Sequence, residues 1–117
     1  VIVVTNQIPV ASGHEIDFEE RFQNRVHLVD QSPGFIRNEV HRPRPVRFDR
    51  EQGTFVDDPE TEGFYEVKTW WESMDDFVNW TRSESFAEAH ANRPPKEMFR
   101  GPSQVAVHEV FLSTDDR

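Results

Sequence analysis

The apolar residues of this chain change their repeat in a fixed order, and that order leaves few folds open. Val1 to Ile8 alternates around β-branched residues and stops before Pro9, the pattern of a strand with one face toward a core. Ser12 and Glu15 have capping-box spacing, and Phe18, Phe22, Val26 and Val29 return at helical intervals. They predict a helix with Glu15, Glu19, Glu20 and Gln23 toward water, ending near Ser32, Pro33 and Gly34. Phe35 to Arg42 and Gly63 to Trp71 read as a second and third strand. Ser73 and Asp76 repeat the capping-box spacing and open a helical region carrying Met74, Phe77, Val78 and Trp80. A break near Ser83 to Ser85 divides off a second piece, Phe86 to Ala91, and Asn92 to Pro95 stops it. Gln104 to Leu112 is the final strand, followed by a polar tail from Ser113 to Arg117.

Strand, helix, two strands, helix and strand is the α+β, ferredoxin-like βαββαβ order, with helices on one face of an antiparallel sheet. At 117 residues the chain has room for one core, so a single domain over 1–117 is expected. One helical layer leaves the other sheet face open. A second copy packed sheet to sheet would cover it, giving a symmetric homodimer in the form of an α+β barrel. Residues 43–62 lie outside this scheme. There Val46 to Phe48 and Thr54 to Val56 flank Arg50, Glu51, Gln52 and Gly53, which suggests a hairpin arm, with a flexible acidic loop as the alternative for 57–62.

A formal charge of −9, with no basic run, argues against nucleic acid and anionic membranes as partners. The absence of Cys removes disulfides, thiolate metal sites and Cys nucleophiles. No apolar stretch is long enough to span a bilayer, and Val1 to Val4 is too short for a signal segment, so a cytoplasmic location is the default expectation.

Three residues carry more information together than singly: Asn6 inside an apolar strand, Trp71 where the third strand ends, and His90 at the end of Phe86-Ala87-Glu88-Ala89-His90. Each has an ordinary structural reading, as a strand-edge amide, a core ring and a helix-end imidazole. Placed in this order of elements, Val4-Thr5-Asn6, the run from Trp71 to Trp80 and the Phe-x-x-x-His segment make the chain resemble the antibiotic biosynthesis monooxygenase superfamily. Within it the similarity is to the IsdG-type haem-degrading monooxygenases. The resemblance covers most of the chain outside the 43–62 arm.

That resemblance implies haem as both substrate and cofactor, dioxygen and an external electron donor as co-reactants, and release of iron from an opened tetrapyrrole. His90 would be the axial ligand of the haem iron. Asn6 would lie on the open side, its neutral amide hydrogen-bonding oxygen or water there. Trp71 would press on the porphyrin and favour a ruffled macrocycle. Phe22, Phe77, Val78, Phe86 and Ala89 are candidates to line the slot, with plain helix-to-sheet packing as the alternative. Arg93 and Arg100 could approach the propionates.

Other chemistry has less support. His14, His27, His41 and His108 lie in separate elements without metal-ligand spacing, and no nucleophile-elbow or phosphate-loop pattern occurs. Trp70 beside Trp71 leaves a one-residue register ambiguity, because adjacent strand residues face opposite sides. Two rival functions remain open from sequence: a cofactor-free monooxygenase acting on a quinol or other aromatic, and a non-enzymatic dimeric haem-binding module.

Overall fold

A computed structural model describes residues 1–24 and 26–115; of Val26 and His27 only the backbone is described. The elements run β1 (Ile2–Ile8), α1 (Glu15–Gln23), a 3-10 segment (Val26–Gln31), β2 (Phe35–His41), β3 (Val46–Asp49), β4 (Thr54–Asp57), β5 (Tyr65–Trp71), α2 (Met74–Thr81), α3 (Glu84–Ala89), a short 3-10 turn (Lys96–Met98) and β6 (Gln104–Glu109). The main sheet has the order β2-β5-β1-β6 and is antiparallel at every pairing. With the β3-β4 hairpin set aside, this is the expected ferredoxin-like arrangement. Among the described residues no helix is long and apolar enough to cross a membrane.

The register settles the tryptophan ambiguity. Ile2 pairs with Trp71 and Val3 with Trp70, so Trp71 shares the helix-covered face with Ile2 and Val4, while Trp70 lies on the outer face with Arg37 over its ring at 4.1 Å. The outer face is polar. Lys68 donates to Thr5 Oγ1 at 3.1 Å, Gln7 donates to Glu66 at 3.1 Å, and Arg37 pairs with Glu39 at 3.0 Å.

Several boundaries differ from the sequence expectation, each for a local reason. Ser12 does not cap α1: the N-cap is His14, and the Glu15 carboxylate instead reaches back to the backbone N–H of Gly13 at 2.9 Å. The first helix ends at Gln23, and a separate 3-10 segment carries Val29 into the core. Val26, expected on the buried stripe, has its side chain outside the described residues. Gly34, at φ +80°, makes the turn into β2, and a Cβ there would come within 2.2 Å of the Asp76 carboxyl group, so the turn needs glycine both for its backbone and for its space. Strand β6 ends at Glu109 rather than Leu112. The arm is a true hairpin whose turn is held by the Asp49 carboxylate accepting from Glu51 N at 2.9 Å, with Phe48 and Phe55 edge to face.

The core comes in two parts under one sheet. Ile2, Val4, Val29, Trp71 and Trp80 form one cluster; Ile8, Val10, Phe18, Tyr65 and Met98 form the other. Met98 brings the Pro-rich linker into the second cluster, and Phe99 bridges to Val10, so that segment is packed rather than loose. Glu19 also departs from expectation. Its carboxylate accepts two bonds from Arg42, at 2.8 and 2.5 Å, and one from the buried Tyr65 hydroxyl at 2.5 Å, tying α1 to β5 and to the end of β2.

The Arg42 hydrogen bonds first, then that of Tyr65, hold the Glu19 carboxyl down at about 2. A depressed carboxyl stabilises the fold above its unfolded value of 4.5, and that contribution disappears as pH falls from there toward about 2. Glu19→Gln is therefore expected to lower the thermal midpoint at pH 7 by about 5 °C. The gap should close as pH drops below 4, as followed by circular dichroism; a gap independent of pH would remove the ion pair as its cause.

Candidate active site

The inward row of β1 reads Ile2, Val4, Asn6, Ile8, and the polar member stands between the two halves of the core. A cleft of about 270 Å³ opens at that break. Its floor is the sheet, with Val4 and Asn6 from β1, Asn38 from β2, Val67 and Thr69 from β5 and Val105 from β6. Its walls are helical: Phe22 from α1, Val29 from the 3-10 segment, Phe77, Trp80 and Thr81 from α2, and Phe86, Ala89 and His90 from α3. A second cleft of about 510 Å³ adjoins it, sharing Asn6, Phe22, Ala89 and His90. Joined, the two give the volume and the apolar lining that a large flat ligand needs.

The helical wall is set by two serines. Ser73 caps α2, accepting from Asp76 N at 3.1 Å while its hydroxyl donates to the Asp76 carboxylate at 2.9 Å, the capping box read from sequence. Ser83 works in both directions: its oxygen accepts from Phe86 N at 3.1 Å to start α3, and its hydroxyl donates to Trp80 O at 2.7 Å to close α2. That junction turns α3 so that Phe86 meets Trp80 edge to face at 5.5 Å. His90, one turn further, stacks on Phe86 at 4.0 Å.

The imidazole is oriented as well as placed. His90 Nδ1 lies 2.8 Å from the Phe86 carbonyl oxygen, and a carbonyl only accepts, so Nδ1 carries the hydrogen. In the neutral ring Nε2 is then left with its lone pair. On the floor, the amide oxygens of Asn6 and Asn38 are buried without any hydrogen-bond partner. A buried acceptor left unpaired costs free energy, on the order of 1–3 kcal/mol, and such groups concentrate where a ligand completes them.

Of the residues singled out from sequence, Asn6, His90, Phe22, Phe77, Phe86 and Ala89 meet in the cleft. Val78 does not line it. Trp71 lies one layer behind: fully enclosed, its Nε1 donates to Thr69 Oγ1 at 2.9 Å, and its ring packs on Trp80, Phe77 and Phe35. Arg100 is committed elsewhere, donating to Glu62, Val10 O and Gly63 O at the base of the arm, and Arg93 is an exposed residue outside both clefts. The arginine at the second cleft is Arg21, on α1. Sequence reasoning missed it because it reads as a helix-surface charge. Asn38 was missed because β2 carries no apolar alternation to mark its inward face. Among the described residues no three His, Asp or Glu groups converge as a metal site.

Known proteins with this architecture bear on the cleft. A staphylobilin-producing heme oxygenase of Staphylococcus haemolyticus is 34% identical over 116 residues, 97% of this chain and 98% of its own. A mycobilin-producing heme oxygenase of Mycobacterium tuberculosis is 31% identical over 94% of this chain and 90% of its own. Among solved structures, the heme degrader MhuD from Mycobacterium tuberculosis, with two hemes bound in its active site, superposes with a TM-score of 0.70 at 31% identity, covering 97% of this chain and 98% of that one. SnoaB, a cofactor-independent oxygenase from Streptomyces nogalater, shares the fold at a TM-score of 0.67 and 15% identity. The family model for antibiotic biosynthesis monooxygenases matches residues 1–92, and with relatives above 30% identical across nearly the whole chain, this protein belongs to that family.

Proposed function

We propose that this protein binds haem in the gap between the two halves of its core and opens the macrocycle oxidatively, as a haem-degrading monooxygenase. The carrying observation is that one apolar cleft presents two complementary polar groups: an imidazole held with Nε2 free on the helical wall, and Asn6 on the sheet floor, whose amide oxygen is buried without a partner. Similarity to haem-degrading proteins along nearly the full length supports the same substrate.

Haem supplies the iron that activates dioxygen and is itself consumed, with electrons from an external donor and an opened tetrapyrrole and free iron as products. The chain's own residues set the conditions. His90 would hold the haem iron through Nε2, and its bond to the Phe86 carbonyl fixes the orientation of the ring. Asn6 supplies a neutral amide on the sheet floor that could donate or accept a hydrogen bond at the bound group without titrating. Trp80 and Phe77 line the cleft with Trp71 packed behind them, so this ring stack would be the group that presses on a bound macrocycle. Arg21, at the adjoining cleft, is the cation available to a carboxylate at the ligand's edge. The apolar lining keeps bulk water from the reacting centre.

The chain also acts as a homodimer in this reading, although the polar outer face is not what argues for it. Strand β6 is exposed at every residue and lies at a sheet edge, Val105 and Val107 are only partly covered, and Phe111 and Leu112 beyond its end are 98% and 82% exposed. An unpaired edge followed by two bare apolar side chains is satisfied by a second copy. Replacing both Phe111 and Leu112 with Ser is expected to shift the species seen by light scattering from dimer toward monomer; an unchanged mass would exclude the tail from the interface.

The functional test is direct. Hemin added to the purified protein should give a saturable Soret shift, and ascorbate in air with catalase present should bleach that band and release iron. His90→Ala is expected to weaken haem binding by at least about tenfold, or about 1.4 kcal/mol. Asn6→Ala should keep binding while slowing bleaching roughly 100-fold. A shift without bleaching would make the protein a haem carrier, and no shift would return the cleft to cofactor-free oxidation of an aromatic.

A further inference from the structure

Asn38 has no part in the roles assigned so far, yet it is built like Asn6. Both side chains rise from the same face of the sheet into the same cleft, and both amide oxygens are enclosed without a partner. Apart from these two amides and the Thr69 hydroxyl, which accepts from Trp71, the floor is aliphatic. Nothing in the packing of β2 demands an amide there, since an aliphatic side chain would meet the same neighbours without an orphaned acceptor.

The strand register fixes how far apart the two amides stand. Asn6 pairs with Val67, which pairs with Val40, and Asn38 is two residues further along β2, opposite Thr69. Two strand spacings across and two residues along put the two Cα positions roughly 12 Å apart. For a flat ligand centred over Asn6, Asn38 therefore stands over the rim. A polar contact at the centre of a near-symmetric disc does not resist its rotation, whereas one at the rim does.

We infer that Asn38 is a specificity-determining residue: its amide meets the edge of the macrocycle, directly or through one water, and fixes the in-plane rotation of the ligand and with it the carbon that is oxidised. This rests on the haem reading above. Between them the two amides divide the task, with Asn6 at the reacting centre and Asn38 setting which side of the ring is presented. The haem edge offers no donor to an amide oxygen, so Asn38 Oδ1 accepts from a water that bridges to the ligand, while the amide N–H is the group that can donate to a carboxylate at the rim.

Asn38→Leu, which keeps the branched shape and the number of side-chain heavy atoms while replacing the amide with two methyl groups, tests the inference through three readouts on the full chain. The thermal midpoint of the haem-free variant should be unchanged or higher, because the unpaired acceptor is gone. Haem affinity should fall by less than about tenfold, the worth of one neutral hydrogen bond. The haem-methyl resonances of the ferric cyanide complex, which report in-plane orientation independently of turnover, should split from one dominant set into two, and the ring-opened products should change in isomer ratio by mass spectrometry. A large fall in the thermal midpoint would make Asn38 a structural residue. Identical methyl patterns and product ratios in the two proteins would overturn the inference while leaving the haem reading intact, and absence of a Soret shift in the unmodified protein would overturn both.

Discussion

The ring stack from the sheet to His90 is the contact on which the site depends. Trp71 is wholly enclosed at the end of β5, Trp80 stacks on it at 6.4 Å, Phe86 meets Trp80 edge to face, and His90 lies on Phe86. Helices α2 and α3 are only eight and six residues long, too short to hold their shape without tertiary packing. The aromatic contacts, with Ser73 and Ser83 at the two helix starts, supply that packing and set the imidazole over the floor. Burying each of these rings contributes on the order of 2–3 kcal/mol, so the geometry of His90 is tied to the stability of the core half that carries it.

The cleft results from a defect in an otherwise continuous core. A fourth aliphatic residue in the inward row of β1, in place of Asn6, would let the two clusters merge and close the gap. Asn6 keeps them apart, and it leaves an acceptor unpaired in doing so. Asn38 repeats this one strand beyond β5. The second core half is fastened independently, by Met98 and Phe99 from the linker and by the Glu19, Arg42 and Tyr65 cluster, so an opening in the middle of the molecule does not loosen its ends.

The arm and the tail belong to a different level of organisation. The β3-β4 hairpin has its own turn and ring pair, and Arg100 holds its base by donating to Glu62 and Gly63, but Phe48 and Phe55 stay largely exposed. With bare Phe111 and Leu112 beyond β6, these are the places where apolar surface exceeds what one copy covers.

From the sequence alone the order of elements, the cap at Ser73, the break near Ser83, the hairpin in the arm and the trio of Asn6, Trp71 and His90 could be read, because periodicity, capping spacing and a motif are local along the chain. Asn6 and His90, far apart in the chain, both line the same cleft. Which residues line the cleft was a tertiary matter. Trp71 sits behind Trp80, Val78 lies outside the lining, Arg100 is drawn to the arm, and Asn38 and Arg21 come to the two adjoining clefts from an edge strand and a helix surface that look unremarkable in one dimension. Sequence fixes the period of each element and the chemistry of each side chain, whereas the phase of one element against another, which decides what a side chain touches, is set only when the elements pack.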